Sequence, residues 1–301
     1  MSSPFPGINK STFPTMKSPL LFIFCFLLFT ACNAVYLEKP MPQSGKDQKT
    51  IPAHWPGVYE LIEPDKNSDS ALFKQCLRME RLSNTQLFIS GETRLAKKDV
   101  AALKQLFLKE QKAGRLLDFQ ITNRFIYSTV NTASPEKEIN PERQITTLVS
   151  QGDWYVLANS IKPLMLIDLD TKTVTNFDVP VAGSLGGNDL IPEADSLSAD
   201  NVPLVFRQKQ QTYFLNVQPQ GHTNWLLYTI SGTGKSDLAV KLAFQKDKKN
   251  FEQRLDYYNK ITPFLSMGSD YLINPTDEAL DQLLADPDLF EGWYLKKIGE
   301  E

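Results

Sequence analysis

The residues whose types and spacing come nearest to known chemistry are Gly234, Lys235 and Ser236, in YTISGTGKSDLAVKLAF (Tyr228 to Phe244). A phosphate-cradling loop needs G-x-x-x-x-G-K-[ST], because its first glycine permits the tight turn that wraps backbone N–H groups around the phosphates. That position, 229, is a threonine here. Such a loop also opens a helix. Instead Leu238, Val240, Leu242 and Phe244 alternate with Ala239, Lys241, Ala243 and Gln245, the period of a strand. The stretch reads as a β-hairpin turn, and neither a nucleotide nor any other cofactor is expected.

The remaining reactive side chains are few. His54 and His222 are the two histidines of the chain, and both lie in turn-forming sequence. No H-x-x-x-H, H-E-x-x-H or C-x-x-C spacing occurs, so no metal site is expected. Asp168 and Asp170 stand together in DLDTKT, which lacks the glycine and closing glutamate of a calcium loop. GSLGGND holds a serine among glycines, but G-x-S-x-G is absent. Trp154, Tyr155, Tyr213, Trp225, Tyr257, Tyr258 and Trp293 could form a sugar- or peptide-binding face, although a β core uses the same residues. A net charge of -3 offers no basic footprint for nucleic acid. Catalytic residues cannot be assigned from these patterns.

The strongest motif concerns location. From Met16 the chain reads MKSPLLFIFCFLLFTACNAVYLEKPMPQSG. Lys17 precedes an apolar run, Leu20 to Phe29, that is long enough for a signal-peptide core and too short to span a bilayer. Phe29-Thr30-Ala31-Cys32 then matches the bacterial lipobox at Thr30, Ala31 and Cys32, with Phe29 where leucine is usual. This segment resembles a lipoprotein signal, which implies acylation of Cys32 and anchoring in the membrane through two or three acyl chains. Asn33 after the cysteine resembles an outer-membrane address. Met16 is an alternative start. Of the three cysteines, Cys25 leaves with the signal and Cys32 takes the lipid. Cys76 is left without a disulfide partner and reads as a small core hydrophobe.

The expected organisation is a signal peptide over 1–31, a lipidated tether over 32–54 rich in Pro, Lys, Gln and Ser, a β/α part over 55–145, and a β-hairpin part over 146–301 that carries a terminal helix. The fold class is mainly β (α+β): antiparallel meander and hairpins with two short amphipathic helices. Strands are expected over 57–63, 71–82 and 85–92, the last stopped by Gly91. A helix over 97–112 carries Val100, Leu103, Leu106 and Phe107 on one face and ends before Gly114. A polar loop follows over 132–144. Hairpins turn at Gly152-Asp153 and at DLDTKT. A long loop is expected over 181–201. Thr276 caps the terminal helix, whose buried face is Leu280, Leu283 and Leu284. Trp154 to Val179 and Thr212 to Phe244 show a weak internal repeat.

The lipobox, the VYLEKPMP segment, WPGVYEL, and the closing NPTDEALDQLL and GWYLKKI together resemble a group of exported lipoproteins common in Bacteroidota. The resemblance implies a cell-envelope location, with an envelope protein or a glycan as the expected partner beside the membrane. The expected role is binding or assembly at the outer membrane. The alternative is a periplasmic or surface hydrolase that acts on glycan or peptide with paired carboxylates. In cells fed labelled palmitate, label is expected in the wild-type chain and not in Cys32→Ser; equal labelling of the two would remove the lipid anchor.

Overall fold

The computed structural model describes residues 34–62, 72–131, 141–177, 199–233, 236–245, 251, 264–267, 270–286 and 289–300. The signal peptide and Cys32 lie outside them, as do Tyr257 and Tyr258, most of the loop expected over 181–201, and Gly234 and Lys235. The chain is mainly β. Its N-terminal strands are β1 (Val35–Leu37), β2 (Lys46–Asp47), β3 (Gly57–Ile62), β4 (Phe73–Arg81) and β5 (Gln86–Ala96). Helix α1 (Val100–Lys112) leads to β6 (Leu116–Ile121), β7 (Phe125–Asn131), β8 (Pro141–Gln151) and β9 (Trp154–Leu157). Then come β10 (Lys162–Asp168), β11 (Thr173–Phe177), β12 (Ala199–Lys209), β13 (Thr212–Val217), β14 (Trp225–Thr233) and β15 (Asp237–Gln245). The last elements are β16 (Phe264–Met267), β17 (Asp270–Ile273), α2 (Asp277–Ala285) and β18 (Phe290–Gly299).

Ten of these strands close into an antiparallel barrel. Around the ring the order is β3, β4, β5, β10, β11, β12, β13, β14, β15 and β18, and β18 returns to pair with β3. The alternation of each strand places one set of side chains inside. Leu77 lies opposite Tyr59, Met79 opposite Ile89, Ile167 opposite Leu87 and opposite Val174, Val202 opposite Val174, and Leu215 opposite Tyr228. These residues form or pack against the principal core.

The two ends of the barrel differ. At one end short turns join β4 to β5, β10 to β11, β12 to β13 and β14 to β15. At the other, the connections are long: 63–72, 97–161, 178–198, 218–224 and 246–289. The insertion over 97–161 leaves from this second end. Its strands β6 to β9 form an antiparallel meander, and β9 pairs with the last residues of β5. Helix α1 closes a satellite core of Leu95, Leu103, Ile126, Leu148 and Leu157. Glu92, between Arg78 and Arg94, ties the barrel wall to this meander, because both arginines also donate to Gln151 Oε1 at 2.9 and 3.0 Å. Helix α2 lies on the outside of the barrel, where Leu280 and Leu283 cluster with Phe214 and Leu227. Thr276 caps it as expected, accepting from the Ala279 N–H at 3.2 Å.

Several expectations are corrected. Residues 34–54 do not behave as a tether. Val35, Leu37, Met41 and Ile51 are buried, β1 pairs with β14 and β17, and Asp277 accepts hydrogen bonds from the backbone N–H groups of Gln43 and Ser44. The boundary at 145/146 does not divide the fold, because β5 pairs with β10 and β3 with β18 across it. Gly91 does not stop β5; the strand runs to Ala96 and changes partner from β10 to β9 just beyond it, a site where a missing side chain eases a bend. The polar segment 141–144 extends β8 rather than forming a loop. On α1 only Leu103 is buried, and Leu106 is exposed. The repeat is partial: β10–β11 and β14–β15 are both hairpins, but β13 pairs with β14 whereas β9 pairs with β8 and β5.

Asn216 fastens the N-terminal segment to the barrel wall. It is fully buried. Its Oδ1 accepts from the Met41 N–H at 2.8 Å, and its Nδ2 donates to Met41 O at 2.7 Å and to Val205 O at 3.2 Å. Asn216→Leu leaves these buried backbone groups unpaired, and such groups cost about 1–3 kcal/mol each. A lower urea midpoint with an unchanged denaturant slope is the expected result; an unchanged midpoint would show that the clamp carries no stability.

Candidate functional site

The interior of the barrel is not filled. A cavity of about 100 Å³ remains between the two ends. Every strand of the ring except β12 contributes to its lining: Leu61 from β3, Leu77 and Met79 from β4, Leu87 and Ile89 from β5, Met165 and Ile167 from β10, Val174 and Asn176 from β11, Leu215 and Val217 from β13, Tyr228 and Ile230 from β14, Val240 and Leu242 from β15, and Trp293 and Leu295 from β18. A ring of ten strands is wider than one that aliphatic side chains fill completely, and larger barrels enclose ligand space for this reason. A void of about 100 Å³ costs about 2 kcal/mol at 24 cal/mol per Å³. Its walls give water few polar partners, so the favourable occupant is apolar.

The short-turn end is closed by Trp55, which reaches the cavity from the segment preceding β3. Its ring packs against Phe206 and Tyr213 at centroid distances of 5.6 and 5.2 Å. Tyr59 holds this plug by donating its hydroxyl to Trp55 O at 2.9 Å, and the Arg81 guanidinium donates to Ile51 O. The Trp55 indole Nε1 is buried with no hydrogen-bond partner among the described residues. At the long-connection end, Ala34 and Tyr36 of the N-terminal segment pack with Leu226 and Leu242, and against Met165 and Trp293. Asn176 lies near this rim, on the next-to-last position of β11. It is buried, and among the described residues no hydrogen bond engages its side-chain amide. Burial, and then the neighbouring Tyr36, raise the pKa of the Tyr228 phenol well above its ordinary value. The cavity therefore presents an almost wholly apolar wall in which Asn176 is the one amide among the described lining residues.

The residues singled out from sequence fall elsewhere. The strands flanking Gly234 and Lys235 pair antiparallel, Thr233 opposite Asp237 and Ile230 opposite Val240, as the hairpin reading requires. His54 is on the surface; partial burial, and then the charge of Lys297, lower its pKa. His222 is exposed and stacks on Tyr36 at 5.2 Å. Among the described residues no contact joins either histidine to a nucleophile. Cys76 is fully buried, and burial raises its thiol far above the usual range. Asp168 shapes its hairpin, accepting from the N–H groups of Asp170 and Thr171 at 2.9 and 3.1 Å, while Asp170 accepts from Thr85 Oγ1 at 2.7 Å. Among the described residues, no group of three His, Cys, Asp or Glu could hold a metal ion. The aromatics do not share one face: Tyr213 and Trp293 belong to the barrel interior, Trp225 packs outside it with the α2 core, and Tyr155 packs in the satellite core.

The cavity has no signature in the sequence. Its lining comes from nine strands and the Trp55 segment, and no local pattern joins them. Comparison of the chain with protein-family models, curated proteins and solved structures finds no match. Among the described residues, no helix is long and apolar enough to cross a membrane.

Tyr59 makes the plug sensitive to alkali. Burial, then Glu300 and Asp237, push its phenol up to about 12 from 10.0. The raised value means that the neutral phenol is favoured in the folded state. Its contribution is complete below pH 10 and is lost as pH rises from 10 towards 12. Unfolding free energy measured across this interval is expected to fall, and Tyr59→Phe is expected to flatten the fall. An identical pH profile in the variant would detach Tyr59 from the plug's stability.

Proposed function

We propose that this protein is a lipid-anchored cell-envelope binding protein, attached to the outer membrane through Cys32, whose barrel binds an apolar molecule. The cavity carries this reading. Its lining is almost wholly aliphatic and aromatic, and an empty space of that chemistry is stabilised by any apolar group that fits it. Its volume suits a segment of hydrocarbon chain or a small ring rather than a whole lipid, since aliphatic cavities of roughly 150 Å³ take benzene-sized molecules. Asn176, a lining residue, supplies a polar contact that would set orientation. The lipobox ending in Cys32 supports the location. A protein or glycan partner on the outer surface is compatible with this role. The alternative of a carboxylate hydrolase gains no support from the cavity, whose described lining contains neither Asp nor Glu.

The test is thermal unfolding of the purified chain with fatty acids of increasing length. A ligand at a hundred times its Kd adds about 2.7 kcal/mol to the folded state, so Tm should rise. Val240→Phe and Val174→Phe narrow the cavity and should abolish the rise while leaving the barrel folded by circular dichroism. A Tm insensitive to every chain length, or a rise that persists in both variants, would sink the proposal.

A further inference from the structure

The structure also bears on where the ligand comes from and through which end it passes. We infer that the cavity takes an acyl chain of a membrane lipid, through the end of the barrel against which β1 lies. The inference rests on the proposed acylation of Cys32 and extends the binding role just described.

The first observation is the position of the N-terminal segment. Tyr36 of β1 pairs with Leu226 of β14, at the start of that strand and so at the long-connection end. Ala34 and Tyr36 are buried in a cluster with Leu226 and Leu242, packed against Met165, Tyr228, Val240 and Trp293. Five of these six barrel residues, all but Leu226, also line the cavity. Ala34 is two residues after Cys32, and two residues of extended chain span no more than about 7 Å. An acyl group on Cys32 therefore starts within that reach of this end of the barrel. Among the described residues the chain is already held against the barrel at Ala34 and in β1 from Val35, which favours this end of the barrel facing the bilayer.

The second observation is the contrast between the ends. The far end is shut by the short turns and by Trp55 with its aromatic neighbours Phe206 and Tyr213. The near end carries the buried amide of Asn176, which can donate to the ester or carboxyl oxygen of a lipid whose chain lies in the cavity. A hydrocarbon segment suits the lining and a charged headgroup does not. An apolar chain passing directly from bilayer to cavity also avoids exposure to water, at about 0.8 kcal/mol per CH₂.

The experiment uses the acylated full chain in vesicles whose phospholipid carries a photoreactive diazirine on one acyl chain. Labelled residues are mapped by mass spectrometry. The same protein in detergent micelles, offered a diazirine-bearing fatty acid, reports on the cavity itself. Label at Met165, Val240 or Trp293 in vesicles is expected, with most of it lost in Val240→Phe while label on exterior residues is unchanged. Cavity labelling in micelles but only exterior labelling in vesicles would overturn the membrane source and leave the binding role standing. Cavity labelling in neither would overturn both.

Discussion

Pairing of β18 with β3 is the interaction on which the rest of the structure depends. Tyr294 lies opposite Ile62, Leu295 opposite Leu61 and Lys297 opposite Tyr59. Without it, the nine remaining contacts around the ring would leave an open, curled sheet with two exposed edges, and open edges invite pairing with other chains. With it, every barrel strand is hydrogen-bonded on both sides. Closure also fixes the circumference, and the circumference decides that aliphatic side chains facing inward cannot meet at the axis. The cavity follows from strand number rather than from any particular residue.

The N-terminal segment then converts a tube into a vessel with two unlike ends. Trp55, Ile51 and the Tyr59 hydroxyl close one end from a stretch that carries little regular secondary structure. Met41 is gripped by Asn216, Arg207 donates to the carbonyls of Pro40 and Pro42 at 2.9 Å, and Asp277 receives Gln43 and Ser44. These contacts run to β12, β13 and α2, so the segment braces the barrel on its outside while its two ends reach the barrel's two rims.

Local elements were legible in the sequence because their signals are local. The Gly152-Asp153 and DLDTKT turns, the strand period of Leu238 to Phe244 and the Thr276 cap each depend on a few neighbouring residues, and each is present. Segment 34–54 is illegible as part of the barrel for an equally physical reason. Its composition is that of a linker, and its buried residues, among them Ala34 to Leu37, Met41 and Ile51, follow neither a helical nor a strand period. They are held by partners far along the chain, such as Tyr271 opposite Val35 and Asn216 beside Met41. The candidate site was illegible for the same reason in stronger form. Trp293 is one aromatic among several in the sequence, and only the pairing of ten strands places it on the cavity wall.

The closing strand has a consequence in time as well as in space. β3 begins at Gly57 and its partner ends at Gly299, so almost the whole described chain must be synthesised before the ring can shut. Until then the chain can form at most an open sheet with two unpaired edges. Contacts so distant in sequence make folding slow, and the two edges that β18 and β3 present stay open to other chains until the last strand arrives.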